Sequence, residues 1–308
     1  KPGRPRGSFL LLGPTGVGKS AVAFNLAFHF NCDIISADSR QFYREMTIGT
    51  AVPSDSFLDL VKHHFIKFIS VKDYYSSSLF ERDVLKLLPE LFDKSRIVVM
   101  AGGSGMYIDA VCNGIDDIPD IYPMVREKYN ILYREEGLES LRSALKLLDP
   151  EYYSKVDLRN HKRIIRALEI CETTGRTYSS FRTRRKAKRD FDIIKIGLNR
   201  ERLVLYEMIN CRVDQMIAQG LEDEVRSLFQ HKDLNALKCV GYSEFFDFFE
   251  GKISRDKAIE LIKRNSRRYA KRQLTWWAKD DEIHWLDPDR ILDIIKDIEH
   301  IIRPSNLN

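Results

Sequence analysis

No apolar run in the 308-residue chain approaches the ~18 residues a membrane span requires. The opening KPGRPRG is basic but leads into no long apolar segment before Gly13, which argues against a secretory leader. A cytoplasmic protein with no membrane association is expected. Cysteine is scarce: the five, Cys32, Cys112, Cys171, Cys211 and Cys239, lie far apart, with no C-x-x-C and no adjoining histidine pair. That excludes a disulfide framework and a zinc site, leaving reduced, mostly buried thiols. Charge of one sign is not in large excess, since 50 Lys and Arg against 45 Asp and Glu give +5. Basic residues therefore matter only where they cluster. Internal repeats are lacking, and nothing in the composition calls for a protein partner.

What is present begins at FLLLGPTGVGKSAVAF. The apolar run Phe9 to Leu12 is followed by Gly13, Gly18, Lys19 and Ser20 at the spacing G-x-x-x-x-G-K-[ST], and then by a helical pattern through Ala21, Val22, Phe24 and Leu26. Strand, glycine loop and helix in that order turn backbone N–H groups onto phosphate oxygens, with the lysine on a terminal phosphate and the serine hydroxyl on Mg²⁺. The loop alone fits an NTP or another diphosphate. A Walker-B carboxylate is missing, because the other strongly apolar strand, RIVVMAGGSG, ends in glycines. That absence weakens an ATPase reading.

Strand and helix alternate through the first part of the chain, which predicts a parallel sheet with site residues at strand ends. Asp38, Gly102, Gly103 and Ser104 fall at such ends. Between Asp116 and Arg189 the pattern becomes helix after helix, with Asn160 as an N-cap and Gly175 as a C-cap for NHKRIIRALEICETTG. FDIIKIGL returns to strand, Leu203, Tyr206, Ile209, Val213 and Met216 form an apolar helical stripe, and EIHWLDP suits a short edge strand. The expected fold is α/β, a P-loop NTPase-like parallel sheet core with a helical insertion domain. Its segments are residues 1–115, the insertion 116–189, and a mainly helical second part of the core, 190–308.

Two basic clusters stand out. FRTRRKAKR holds six basic residues in the eight after Phe181, and RNSRRYAKRQLTWW holds five among Tyr269, Trp276 and Trp277. Runs of this kind with aromatics suit polyanion binding. Arg159, Lys162, Arg163 and Arg166 share one helical face, and Arg264, Arg268 and Arg272 repeat the geometry. Asp38, a carboxylate at a strand end beside the loop, fits a magnesium ligand or a general base. Arg212 precedes Val213 of the stripe and can point inward to the loop. A small-molecule kinase, an enzyme prenylating free adenine nucleotides and an NTP-gated RNA-binding module all remain open on these features.

Taken together, GPTGVGKS, DSRQFY, IGTA, GGSGMY, RIIRALE, GLEDEV, VGYSE and YAKRQLTWW resemble the tRNA dimethylallyltransferases over nearly the whole chain. The resemblance implies transfer of a dimethylallyl group from its diphosphate to N6 of the adenosine 3′ of the tRNA anticodon, tRNA position 37, with Mg²⁺. It implies that Gly13, Pro14, Thr15, Gly16, Val17, Gly18, Lys19 and Ser20 hold the diphosphate, that Ser20 meets the metal, and that Arg212 is a second diphosphate contact. Asp38 becomes the base, acting with Lys19 and Arg212, and Ser39, Arg40 and Gln41 lie beside the flipped nucleotide. Ser104, Arg126 and the segment Lys162, Arg163, Ile164, Ile165 and Arg166 match tRNA contacts, the insertion gripping the anticodon stem. Ser104 and Ser20 replace the family's commoner threonines and keep the hydroxyl, whereas His161 stands where proline is usual.

Overall fold

The computed structural model describes residues 7–116, 123–183 and 187–302. In chain order the elements are β1 (Gly7–Leu12), α1 (Lys19–Phe30), β2 (Ile34–Ser36), α2 (Asp55–Leu60), β3 (His63–His64), α3 (Ser77–Lys94), β4 (Ile97–Ala101) and α4 (Gly105–Asn113). Five helices follow, α5 (Pro123–Glu136), α6 (Leu138–Leu148), α7 (Pro150–Tyr153), α8 (His161–Thr174) and α9 (Tyr178–Phe181). The chain then runs through β5 (Asp192–Leu198), α10 (Arg202–Ala218), α11 (Leu221–Ser227), α12 (Tyr242–Phe249), α13 (Arg255–Trp277), β6 (Ile283–Leu286) and α14 (Ile291–Ile302). They form two compact units divided at residues 112/113 and 187/188, the second being the 113–187 segment.

The first unit is α/β. Its six strands are ordered β3-β2-β4-β1-β5-β6, and every pairing is parallel. Apolar residues occupy both faces, as a parallel sheet covered on each side requires. Along β4, Val98 and Met100 join one core with Phe80, Val84 and Leu88 of α3, while Val99 between them joins another with Val22, Leu26 and Ile209 of α1 and α10. The two-residue period of a strand produces that division. EIHWLDP forms β6 at one sheet edge, as its pattern suggests. A third core, built on Leu221, Val225, Tyr242 and Phe245, ties α11 and α12 to α13.

Because the strands are parallel, the loops after β1, β2 and β4 leave from the same edge. Gly102 is required there: a Cβ would lie 2.3 Å from the Ala37 carbonyl carbon and oxygen. Ala37 N–H donates to Ala101 O at 2.8 Å and Ser104 N–H to Ala37 O at 3.2 Å, locking the two loops side by side.

One sequence expectation fails in α10. The buried residues are Leu205, Ile209 and Val213, while Leu203 is 69 % exposed. The helix begins at Arg202 behind a Glu201 cap, so Leu203 lies in its first turn, and Leu205 takes the place in the apolar line four residues before Ile209.

The second unit is helical, with Tyr129, Leu141, Leu145, Ile164 and Leu168 in its core. Asn160 caps α8, its side chain accepting from Arg163 N–H at 3.2 Å, and Gly175 ends the helix with φ 67°. Asp149 is fully buried, accepting from Tyr152 N–H, Ser179 N–H and Ser179 Oγ at 2.7–2.9 Å. Those bonds satisfy a carboxylate that would otherwise be costly to bury. No helix among the described residues is long and apolar enough to cross a membrane.

Candidate active site

The glycine loop leaves β1 and enters α1 at Lys19. Val17 is buried and its N–H donates to Pro14 O at 3.3 Å, so the loop folds on itself. Gly16 has φ 84°, and a Cβ on it would come within 2.7 Å of Ile209 Cγ1, which shows how closely α10 packs on the loop. Thr15 N–H donates to Oε1 of Gln273 at 2.8 Å, and Gln273 Nε2 donates to Gly103 O at 2.8 Å. One buried amide of α13 thus ties the loop after β1 to the loop after β4. From the other side, Arg200 Nε donates to Val17 O at 3.2 Å while its guanidinium pairs with Asp289. Lys19 Nζ donates to Pro14 O at 2.8 Å, and Ser20 is exposed at the helix start.

The turn after β2 carries Asp38. Its Oδ1 accepts from Arg40 N–H at 3.0 Å, and its carbonyl accepts from Gln41 N–H at 3.0 Å. The neighbours have different tasks. Ser39 donates its N–H to Ser104 Oγ at 2.9 Å, and Ser104 Oγ donates in turn to Ser39 Oγ at 3.0 Å. Arg40 Nη1 is bound to the carbonyls of Asn235 and Ala236 at 3.1 and 2.8 Å. Gln41 is buried; its Oε1 accepts from Ser36 Oγ at 3.0 Å and its Nε2 donates to Thr50 O and Ala51 O, both at 3.1 Å. Arg40 and Gln41 therefore spend their side chains on holding the turn.

Two cavities meet here. One, of about 410 Å³, is lined by Thr15, Gly16, Gly18, Lys19, Ser20, Arg212 and Gln273. The other, of about 470 Å³, has Ser39, Arg40 and Tyr269 on its polar side and Ile209, Val213, Met216, Val240 and Ile262 as an apolar wall. Thr15, Asp38, Arg212 and Tyr269 border both. A third, of about 250 Å³, lies among Ser104, Tyr269, Arg272 and Trp276, whose Nε1 donates to Asp109 Oδ2 at 3.0 Å.

Burial pushes the Lys19 ammonium down to about 7; Arg212 adds to the effect and Asp38 opposes it. Burial also lowers Arg212, again against the pull of Asp38. Two basic groups crowded together beside one carboxylate disfavour each other's charged forms, a cost that a bound anion would relieve, which is the electrostatics of an anion site. No group of three His, Cys, Asp or Glu side chains among the described residues could by itself hold a metal ion. Mg²⁺ commonly takes one or two protein ligands and completes its shell with phosphate oxygens and water. Ser20, at the start of α1 on the loop cavity's wall, is an oxygen donor that fits such a role.

In the helical unit, Lys162 and Arg163 are exposed at the start of α8. Arg166 stands 3.6 Å from the buried carboxylate of Glu169, and Arg126 holds the same carboxylate with two bonds of 2.6 and 3.1 Å. Ile164 and Ile165 are in the core, so their side chains offer no surface. Arg159 precedes α8, separate from the helical face assigned to it by spacing. Arg184, Arg185 and Lys186 of the basic run lie outside the described residues. His161 stacks on Tyr133 with ring centroids 4.5 Å apart. Of the cysteines, Cys32, Cys112 and Cys171 are buried and Cys211 is exposed.

A glycine loop at the edge of a parallel sheet, opening past a carboxylate and an arginine into a second cavity, suits a group-transferring enzyme. The family model described as IPP transferase matches residues 41–280, and the chain belongs to that family. It is 48% identical over 294 residues to tRNA dimethylallyltransferase 1 of Bacteroides fragilis, covering 96% of this chain and 98% of that one. A tRNA dimethylallyltransferase 2 of Porphyromonas gingivalis is 51% identical over 281 residues, covering 91% of this chain and 94% of that one. The crystal structure of the tRNA isopentenylpyrophosphate transferase of Bacillus halodurans matches with TM-score 0.71 at 33% identity, over 96% of this chain and 97% of that one. A eukaryotic dimethylallyltransferase acting on tRNA shares the fold, with TM-score 0.79 at 24% identity, over 96% of this chain and 77% of that one.

Arg200 lies in none of the motifs, and Gln273, although it falls within YAKRQLTWW, is not singled out there as a tether of the loop. The signal for Gln273 is its spacing: it shares a buried helical face with Ala270 and Trp277 inside a stretch otherwise rich in charge. Arg200 carries no such mark, since its target is a backbone carbonyl.

Proposed function

We propose that the chain transfers a dimethylallyl group from dimethylallyl diphosphate to N6 of the adenosine 3′ of the tRNA anticodon, releasing diphosphate. The observation that carries this reading is the meeting of an anion-binding loop cavity and a partly apolar cavity at Asp38 and Arg212. We read the sheet and loop as a P-loop NTPase-like core that works as a leaving-group cradle, in a cytoplasmic enzyme.

An allylic diphosphate needs a site for two phosphates and no attacking water. In this reading the loop from Gly13 to Ser20 receives the diphosphate, and Lys19 gives up Pro14 O for a phosphate oxygen. Mg²⁺, held by Ser20 together with the diphosphate, would supply further charge neutralisation on the leaving group. As the C–O bond stretches, Lys19, Arg212 and the loop N–H groups stabilise the growing negative charge. Thr15 N–H is committed to Gln273 and Val17 N–H to Pro14 O, so the remaining loop amides carry that task. The exocyclic amine of adenosine is a weak nucleophile, because its lone pair is delocalised into the ring. Asp38 accepts its proton as the N–C bond forms. The base must leave its stack to reach Asp38, the usual course for enzymes that act on a nucleobase. Lys162 and Arg163 in the helical unit, and Arg272 beside Ser104, supply positive charge for the RNA backbone.

Incubation with unmodified tRNA and dimethylallyl diphosphate, followed by nucleoside mass analysis, tests the reading. A nucleoside heavier by one dimethylallyl group is expected, with ATP hydrolysis no faster than background in the same preparation. tRNA-stimulated ATP hydrolysis without a prenylated nucleoside would overturn it, and prenylation of free adenine nucleotides in preference to tRNA would redirect it.

A further inference from the structure

GLEDEV opens α11, and its Glu224 makes contacts that neither the leaving-group site nor the RNA surface accounts for. The Glu224 carboxylate accepts from three successive backbone N–H groups, Thr47 at 2.9 Å, Ile48 at 2.7 Å and Gly49 at 2.9 Å, and from the Tyr242 hydroxyl at 2.7 Å. Oε2 takes Thr47 and Ile48, and Oε1 takes Gly49 and Tyr242. Tyr242 is fully buried, and that burial, with the carboxylate beside it, pushes its phenol up, so it stays a donor. A Cβ on Gly49 would lie 2.6 Å from Tyr242 Cε2, so turn, ring and carboxylate are packed without slack.

The turn held in this way borders the reaction site. Gly49 and Thr50 are walls of the larger cavity, the one Asp38 shares. Thr50 O and Ala51 O are the acceptors for Gln41 Nε2, and Gln41 N–H closes the Asp38 turn. Ala51 sits at φ 47°, a left-handed conformation that a residue with a side chain keeps only where its surroundings enforce it. Contacts run without a break from Glu224 through residues 47–51 and Gln41 to the backbone of Asp38.

We propose that Glu224 is a positioning residue for prenyl transfer: through the turn 47–51 and Gln41 it fixes the Asp38 backbone and the cavity wall facing the reacting amine. This rests on the reading of Asp38 as the base of a tRNA prenyl transfer. Glu224 itself touches no reacting atom; its effect is geometric.

Glu224→Gln keeps the shape but turns an NH₂ group toward backbone N–H donors, opposing donor to donor. The single-turnover rate at saturating tRNA and dimethylallyl diphosphate should fall by roughly 10² where the displacement approaches about 1 Å. KM for dimethylallyl diphosphate and Kd for pyrophosphate should stay within roughly twofold, since the loop is untouched. Hydrogen exchange at the amides of residues 47–49 should quicken. Tyr242→Phe, which leaves the three amides bound, should cost less than Glu224→Gln. Glu222→Gln, on the same helix but paired with Arg226 and Arg255, should keep the wild-type rate. Rates are taken well below each variant's Tm and normalised to the stoichiometry of bound pyrophosphate. A wild-type rate per pyrophosphate site in Glu224→Gln, or a fall in activity matched by an equal loss of sites, overturns the proposal alone. A wild-type chain that forms no prenylated tRNA overturns the functional reading and the proposal with it.

Discussion

Lys19 spends its ammonium on the carbonyl of Pro14, 2.8 Å away within its own loop, with Arg212 close enough to lower its proton affinity further. Burial, with Arg212 adding to it, holds this cation of the ligand-free loop at about 7, where the unfolded chain would hold it near 10.5. Between those values the unfolded chain binds more protons, so the stability of the ligand-free protein should rise with pH across that window. Lys19→Met should flatten the rise, as Tm measured from pH 6.5 to 10 will show; a wild-type Tm that falls steadily over that range contradicts it. An arriving diphosphate should restore the lysine's proton. Calorimetry of pyrophosphate binding at about pH 8 in buffers of different ionisation enthalpy should show more proton uptake by wild type than by Lys19→Met.

Asp38→Asn should bind tRNA and pyrophosphate as wild type does while losing turnover, because the amide retains the Arg40 N–H bond but cannot take a proton. Loss of a general base typically costs about 10² to 10⁴ in rate. Single-turnover prenylation at the wild-type rate would remove Asp38 from that role.

Gln273→Ala frees Thr15 N–H in a partly buried place and Gly103 O in a buried one. Leaving such groups unpaired typically costs about 1 to 3 kcal/mol each, so Tm should drop and the affinity for pyrophosphate should weaken as the loop loses its tether. An unchanged pyrophosphate Kd would show that the loop keeps its shape without α13.

Lys162→Ala with Arg163→Ala should weaken tRNA binding and flatten its dependence on salt, by roughly one unit of log–log slope for each phosphate no longer neutralised. These two are exposed and leave the core alone. Dimethylallyl diphosphate affinity should not change. An unaltered salt slope returns them to the solvated surface.

Arg126→Ala should act on stability. Its guanidinium holds Glu169, whose side chain is 1% exposed, and Arg166 at 3.6 Å is a weaker substitute. Removing one member of such a pair leaves a buried charge poorly compensated. The melting temperature should fall, and Glu169→Gln in the Arg126→Ala background should recover part of the loss.

Elements governed by local rules are legible in the sequence. The unbroken apolar run of RIVVMA marks β4, the Asn160 and Gly175 caps mark the limits of α8, and loop spacing puts Lys19 at the helix start. Leu203 departs from its pattern because spacing alone carries the apolar stripe one turn too far, toward the cap that starts α10. Side-chain assignments in DSRQ are legible only for position. Nothing local reveals that Gln41 is consumed by Thr50 O and Ala51 O, or that Arg40 is consumed by carbonyls 195 and 196 residues away. Glu224 and Gln273 fall within GLEDEV and YAKRQLTWW, yet their tasks are hidden for the same reason: apart from the Tyr242 hydroxyl their partners are backbone groups, which every residue has, so no residue type at the far end marks those contacts.

The bond between Thr15 and Gln273 joins residues 258 apart in the chain. On a ribosome adding about 5 to 20 residues per second, the loop emerges roughly 10 to 50 seconds before the side chain that tethers it. For that interval the most recognisable motif in the protein exists as sequence without its final shape. On the proposed reading, competence for the diphosphate would be among the last properties the nascent chain acquires, so that a half-made enzyme would not hold its substrate.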